Sequence, residues 1–288
     1  MSINMKKISI IIPFYFNQEN IPSTLEELYK VFEGIKDRYS IEFIFVDDGS
    51  LDSTWDLLNK THSISFDHKL VKLSKNFGSH NAILAGLKLA EGDIVGIITS
   101  DLQDPPELFL EMINEWENGN EIVMAVRNGR DDGLFRNFFS NIYYRLLKKF
   151  SNTTMPLSGF DFFIIDKKVS KILVSMNEKN SSITCQIAWA GFKRKVIYYK
   201  RRKRGIGRSK WTTAKRIKLF TDSFVSFSVF PIRLIQLSGI FFSLAGFAYI
   251  IVIIVLKITG NIPIQGIATV IALLCLISGL ILLSLSII

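Results

Sequence analysis

The character of this chain breaks near residue 192, and the break constrains its architecture more than any other feature. Between Lys193 and Lys218 there are thirteen Lys or Arg and no acidic residue. Residues 1–192 instead carry 20 basic and 25 acidic side chains, a net of −5 hidden inside the overall +9. Beyond the basic stretch, apolar runs extend from Ile232 to Leu256 and from Gly266 to Ile288. Each can cross a hydrocarbon layer about 30 Å thick, which takes about 20 helical residues. The loop between them holds Gly260, Asn261 and Pro263, which suit a turn, and Lys257 as its one charge. The competing arrangement buries both helices in a large soluble core, but little soluble chain is left to cover them. The remaining 190 or so residues suffice for one sizeable core.

The Lys/Arg bias places the basic neck, and the large domain with it, on the cytoplasmic side. Ile8–Ile12 is too short for the apolar part of a signal peptide and Pro13 follows at once. Cys185 and Cys275 make no disulfide framework and read as packing residues in a reducing compartment. Nucleic acid would explain the amount of positive charge. Anionic lipid headgroups, which attract Lys and Arg at about 1 kcal/mol each near the surface, explain its place as well. A bilayer is therefore the expected partner, and nucleic acid is not.

Short apolar runs alternate with longer mixed segments through the first 125 residues. Strands are expected at Lys7–Pro13, Ile41–Val46, Leu70–Leu73, Ile94–Thr99 and Glu121–Val126. Helices are expected at Pro22–Ile35, around Trp55–Leu58 behind an Asp52-Ser53-Thr54 cap, at Ser79–Ala90 and at Pro105–Trp116. This rhythm predicts an α/β fold with a mostly parallel sheet covered by helices on both faces. Such sheets bind ligands beyond the carboxyl ends of their strands. Polar groups recur there: Asn17 and Glu19, Asp47 and Asp48, Lys75 and Asn76, then Asp101, Gln103 and Asp104, then Arg127. Phe135–Phe150 and Thr213–Phe230 read either as amphipathic core helices or as interfacial helices at a headgroup layer.

Asp101 and Gln103 could supply a carboxylate and a carbonyl to Mg²⁺, which commonly uses few protein ligands beside substrate phosphates. Asp104 could assist, or could start the helix after Pro105-Pro106. No His/Cys cluster has metal spacing. His62 and His68 fall in a polar connection, and His80 near the site suits a structural or substrate-contact role. Neither a GxGxxG fingerprint nor a phosphate-binding GxxxxGK[ST] loop is present. Lys75, Arg127, Arg204 and Lys210 could face phosphate, with Arg201, Arg202 and Lys203 weaker candidates.

The segments Ile11-Ile12-Pro13-Phe14-Tyr15-Phe16-Asn17-Gln18-Glu19-Asn20, Val46-Asp47-Asp48-Gly49-Ser50, Leu73-Ser74-Lys75-Asn76-Phe77-Gly78 and Asp101-Leu102-Gln103-Asp104-Pro105-Pro106-Glu107 carry a resemblance. So do Gly205-Ile206-Gly207-Arg208-Ser209-Lys210-Trp211 and Phe227-Ser228-x-x-Pro231-Ile232-Arg233 ahead of the two apolar segments. Over nearly its whole length the chain resembles inverting family-2 glycosyltransferases of the GT-A fold. Within them it is most similar to bacterial polyprenyl-phosphate (bactoprenol) glycosyltransferases and dolichyl-phosphate mannose synthases. The resemblance implies a Rossmann-like sheet domain, juxtamembrane amphipathic helices and a two-helix transmembrane hairpin. It implies that Pro13, Tyr15, Glu19, Asp47 and Asp48, with Lys75 and Asn76, hold the nucleotide sugar. Asp101 and Gln103 match the Mg²⁺ or Mn²⁺ ligands, Arg127, Arg204 and Lys210 the phosphate-handling cations, and Asp161 a family aspartate considered for catalysis or acceptor positioning. Thr99 stands where the family's first metal-motif Asp is usual, and no Arg follows Asp161 within Phe162-Phe163.

The expectation is a multi-pass protein of the bacterial inner membrane. Residues 1–212 form a cytoplasmic catalytic domain, 213–231 a juxtamembrane helix and 232–288 the hairpin. It would transfer a hexosyl group from a nucleotide sugar, a UDP-hexose or UDP-N-acetylhexosamine, to polyprenyl phosphate such as undecaprenyl phosphate. Two rivals stay open: an anchored transferase acting on a polysaccharide or protein, and a non-catalytic scaffold that binds nucleotide sugar or recruits a flippase. Small residues Gly239, Ala245 and Gly246 leave room for packing against a second copy.

Overall fold

The computed structural model describes residues 5–61, 66–128, 160–176, 178, 182–202, 230–260 and 266–287. Arg204, Lys210, His62, the Phe135–Phe150 segment, the Gly205–Trp211 motif and nearly all of Thr213–Phe230 lie outside these residues. The chain divides into two compact units, Met1–Phe227 and Ser228–Ile288.

In the first unit, β1 (Lys6–Phe14), α1 (Ile21–Glu33), β2 (Tyr39–Asp47), α2 (Thr54–Asn59), β3 (Asp67–Lys72), α3 (Ser79–Leu87), β4 (Ile94–Ile97), α4 (Leu108–Glu117) and β5 (Ile122–Arg127) follow in the expected rhythm. Then come β6 (Phe162–Asp166), α5 (Lys167–Met176), α6 (Ile183–Trp189) and β7 (Arg194–Tyr199), none of which the apolar pattern had marked. The sheet order is β3-β2-β1-β4-β6-β5-β7. All neighbours are parallel except β6, which runs antiparallel to both β4 and β5.

Strand alternation sorts the core into two layers. Ile8, Ile10, Ile12 and Phe14 of β1 face one layer with Leu28 and Phe32 of α1 and Phe109 and Met112 of α4. Ile11 faces the other with Ala82 and Leu87 of α3, Val169 and Leu173 of α5 and Ile187 of α6. Helices therefore cover both faces, and strand order reverses beside β1, where β2 and β3 lie on one side and β4 on the other. That reversal opens the crevice in which doubly wound sheets take ligands.

Three local expectations need correction. α4 begins at Leu108, so Asp104 does not start it. Ser53 makes no side-chain cap; Asp52 Oδ1 accepts from the Thr54 N–H at 3.1 Å instead. His68 lies within β3, with its ring 6.3 Å from that of Phe45, because the strand begins three residues earlier than its apolar run.

At the amino ends of the strands, away from the crevice, Glu42 is 1% exposed yet charged. Ser9 Oγ and the Glu91 N–H donate to its Oε1, and Lys7 and Lys69 lie 2.9 and 3.2 Å from its Oε2. Burial alone would raise the Glu42 pKa, but these donors outweigh it and hold it below the ordinary carboxylate value. A depressed pKa stabilises the fold above the unfolded-state value, and that stability disappears as pH falls through the folded-state value. Glu42→Gln should cost about 2 kcal/mol at pH 7, as for loss of hydrogen bonds to a charged group. The gap from wild type should narrow in thermal melts run below pH 4, and a constant gap would reject the assignment.

The second unit holds α7 (Phe230–Ile258) and α8 (Gly266–Ile287). Ile232–Ile258 is long and apolar enough to cross a membrane, with mean hydropathy 2.6 and 11% of its most apolar window buried. The core helix of a soluble protein is mostly buried, and this window is not. Val270–Leu285 is a shorter apolar helix. The two pack antiparallel through small residues. A Cβ added at Gly239 would lie 2.9 Å from the Leu283 backbone N, and one at Gly246 would lie 2.7 Å from that of Leu276. Gly239 and Gly246 are thus used within the hairpin, and their smallness is no argument for a second copy.

Candidate active site

Polar side chains converge at the carboxyl ends of the parallel strands. Because β6 is antiparallel, its amino end lies at this same edge and brings Asp161 into the group. Sequence order alone gave no hint of this reversal.

The loop after β4 carries the densest cluster. Thr99 Oγ1 lies 2.9 Å from Asp101 Oδ1 and 3.1 Å from Asp104 Oδ2. The Gln103 N–H also reaches Asp101 Oδ1, at 3.3 Å. Asp104 is 1% exposed and accepts a short hydrogen bond from the Tyr199 hydroxyl. Arg201 Nε lies 3.2 Å from Asp104 Oδ1 without hydrogen-bond alignment, and its Nη2 lies 3.9 Å from Asp101 Oδ2. Burial raises the Asp104 pKa against the opposing pull of Arg201 and Tyr199. A single Thr hydroxyl proton cannot serve two carboxylates at once. The Thr99 hydroxyl therefore bridges the two carboxylates and donates to one of them at a time. Thr99 thus links the two carboxylates without adding a third negative charge.

The loop is also tied to the start of the basic neck. The Arg202 N–H donates to Gln103 O at 2.9 Å, and its guanidinium pairs with Glu27 and Glu107 at 2.7 and 2.9 Å. Thr24 of α1 donates to Ser100 O at 3.0 Å. Leu102 sits at φ 52°, a left-handed conformation costing on the order of 1–3 kcal/mol for a non-glycine residue. Phe16, in the loop after β1, has the same φ.

Arg127 ends β5 in register with Tyr199 of β7 and pairs with Asp161. Burial would lower the Arg127 pKa, but Asp161 and Asp104 raise it, so its charge is permanent. It supplies from β5 the cation that the sequence lacks just after Asp161. Arg201 and Tyr199 are the site residues that sequence reasoning underrated. A continuous basic run does not distinguish a site-facing arginine from a headgroup-facing one.

On the other flank, the turns after β2 and β3 are knitted together. Asp48, 2% exposed, accepts the Phe77 and Gly78 N–H groups at 2.8 and 2.9 Å, a structural duty not foreseen. Asp47 Oδ1 accepts the Ser50 N–H at 3.0 Å, while its buried Oδ2 has no hydrogen-bond partner among the described residues. Pro13 pairs in register with Val46. The Tyr15 ring packs edge-on against Phe16, and the Phe16 N–H donates to Ser50 Oγ at 3.0 Å. Glu19 and Lys75 are exposed, Asn76 is half-buried, and the Lys75 ammonium lies 5.2 Å from the Phe77 ring centroid. Among the described residues no three His, Cys, Asp or Glu side chains form a metal cluster.

An acidic loop, a buried acceptor and fixed cations thus share the mouth of a mostly parallel sheet, the edge at which such sheets take ligands. Glycosyl transferase family 2 matches residues 9–174, and the chain belongs to that family. It is similar to the Bacillus subtilis (strain 168) protein called uncharacterized glycosyltransferase YkcC, 36% identical over 97% of this chain and 86% of that one. It is likewise similar to the bactoprenol glucosyl transferase of Shigella phage SfV, 32% identical over 90% and 84% of the two chains. Among solved structures, S. aureus TarS in complex with UDP aligns over 82% of this chain and 80% of that one, at 18% identity and TM-score 0.49.

Proposed function

We propose that this glycosyltransferase moves a hexosyl group from a UDP-sugar to polyprenyl phosphate with inversion at the anomeric carbon. The observation that carries the reading is the single-edge convergence of Asp101, Gln103, Asp104, Arg127, Asp161 and Arg201. Similarity to a bactoprenol glucosyl transferase over nine-tenths of the chain supports the lipid acceptor.

An acceptor phosphate oxygen attacks the anomeric carbon as its bond to UDP breaks, and the electron pair leaves with UDP. A phosphate with a second pKa of about 6 is already anionic at neutral pH, so no strong general base is required. Asp161, held by Arg127, suits positioning of the acceptor or sugar. Arg127 and Arg201, with Arg204 and Lys210 of the neck, suit phosphate charge. Asp47 Oδ2 offers a buried acceptor to the nucleotide, with Pro13, Tyr15, Glu19, Asp48, Lys75 and Asn76 around it.

The residues fit a divalent cation. Asp101 supplies a carboxylate at the mouth of the sheet, and Gln103 supplies an amide oxygen two residues along the same loop. These two would hold Mg²⁺ or Mn²⁺ together with donor phosphates. When bound, the cation neutralises charge on the departing diphosphate.

Residues 1–212 are assigned to a catalytic domain on the cytoplasmic face of a bacterial inner membrane, 213–231 to a juxtamembrane helix and 232–288 to a membrane hairpin. The length and apolarity of Ile232–Ile258 support this arrangement. The full chain in lipid should release UDP from UDP-sugar only when undecaprenyl phosphate is present. Release that is independent of the lipid, or that needs a polysaccharide or protein, would reject the acceptor. Donor binding with no turnover would favour the scaffold reading.

A further inference from the structure

The first turn of α3 carries His80, a half-buried histidine with no part in the site so far described. Both ring nitrogens of His80 are covered, and neither has a hydrogen-bond partner among the described residues. Buried polar atoms in native proteins are almost always paired, so two orphans on one ring call for a missing group. A ligand accounts for them here because of where α3 begins. The turn just before it is pinned by Asp48 through the Phe77 and Gly78 N–H groups, which fixes the helix start against the Asp47-Asp48 turn. On the other side, His80 lies in the electrostatic field of Asp161. His80 thus follows directly on the turn pinned by Asp48 and feels the charge of Asp161.

We propose that His80 is a specificity-determining residue that hydrogen-bonds a hydroxyl of the donor's hexose. The proposal rests on the UDP-sugar reading above. Burial lowers the imidazole pKa, against the opposing pull of Asp161, and so favours the neutral ring. A neutral imidazole has one N–H donor and one bare acceptor nitrogen. It is a poor counterion for phosphate, whereas a sugar hydroxyl both donates and accepts. The hexose lies chemically between the nucleotide and the bond that breaks, which suits a residue that follows the Asp48-pinned turn and feels the Asp161 charge.

The test is calorimetric binding of UDP, UDP-glucose, UDP-galactose and UDP-N-acetylglucosamine to the full chain in detergent. Wild type, His80→Leu and His80→Gln are compared, each checked by thermal unfolding. In His80→Leu, affinity for the UDP-hexose that wild type binds best should fall about tenfold, the worth of one hydrogen bond. UDP affinity should be unchanged, and His80→Gln, which retains a donor and an acceptor, should recover part of the loss. The melting temperature of His80→Leu should not fall, since it removes two unpaired buried polar atoms. Equal affinities of wild type and His80→Leu for every UDP-hexose would overturn the proposal, as would equal weakening of UDP and UDP-hexose. Sugar-dependent binding without glycosyl transfer would instead overturn the reaction and leave this contact supported.

Discussion

Asp101→Ala should lower turnover by ~10²–10³-fold, the scale seen when one stabilising contact to a developing charge is removed. The carboxylate has two jobs that this substitution removes together. Its Oδ1 gathers Thr99 and the Gln103 N–H, which shapes the loop after β4. In the proposed reaction the same carboxylate would help to hold the divalent cation, and its Oδ2 lies 3.9 Å from Arg201. With Thr99 in place of a second carboxylate, little local negative charge remains to substitute for it. Asp101→Asn separates the two jobs, because it keeps an oxygen for Thr99 and loses the charge. It should retain the wild-type melting temperature yet show most of the rate loss, with a higher Mn²⁺ concentration needed for half-maximal rate. Initial rates of UDP release across a Mn²⁺ titration measure this. Unchanged turnover and metal response in Asp101→Ala would remove Asp101 from the site.

Gly49→Ala should unfold the nucleotide-side turns. Gly49 has φ +69°, and its added Cβ would fall 2.3 Å from the Lys75 carbonyl carbon, 2.6 Å from Lys75 Cα and 2.8 Å from Asn76 N. All three are backbone atoms, so no side chain can swing aside. The left-handed conformation alone costs about 1–2 kcal/mol for a residue with a Cβ. The clash adds to that by forcing the turn after β2 away from the turn after β3, which Asp48 holds together. Gly78→Ala is the natural comparison, since its φ is +91° but no atom lies within 4 Å of the added Cβ. It carries backbone strain without the clash. Gly49→Ala should therefore melt several degrees below Gly78→Ala and lose UDP binding. Equal melting temperatures would mean that the two turns are not packed as described.

The first five strands were legible because each is a short apolar run bounded by polar turns, and a buried parallel strand has just that signature. The site flank that depends on them, Asp47, Asp48 and the Asp101–Asp104 loop, was legible for the same reason. β6 and β7 were not. Phe162–Asp166 is apolar enough to be a strand, but no local pattern says that it enters antiparallel between β4 and β5. The placement of Asp161 beside Arg127 depends on that reversal. Arg201 was hidden by its neighbours: in a run of thirteen cations, pairing with Asp104 leaves no local mark. Asp104 itself looked like a helix start because Pro105-Pro106 follows, whereas Tyr199, 95 residues away, shares its carboxylate. Such long-range pairings are fixed by strand register, which the sequence does not print.

The central claim is that soluble donor and lipid acceptor meet at this edge to form a lipid-linked monosaccharide. Mass spectrometry of the lipid fraction tests it most directly, after incubating the full chain in lipid with undecaprenyl phosphate, Mn²⁺ and a mixed pool of UDP-hexoses and UDP-N-acetylhexosamines. The predicted result is undecaprenyl phosphate heavier by a single sugar residue, with one UDP released per product and no product from Asp101→Ala. Undecaprenyl phosphate recovered unmodified across the whole pool, or sugar found only on polysaccharide or protein, would contradict the account.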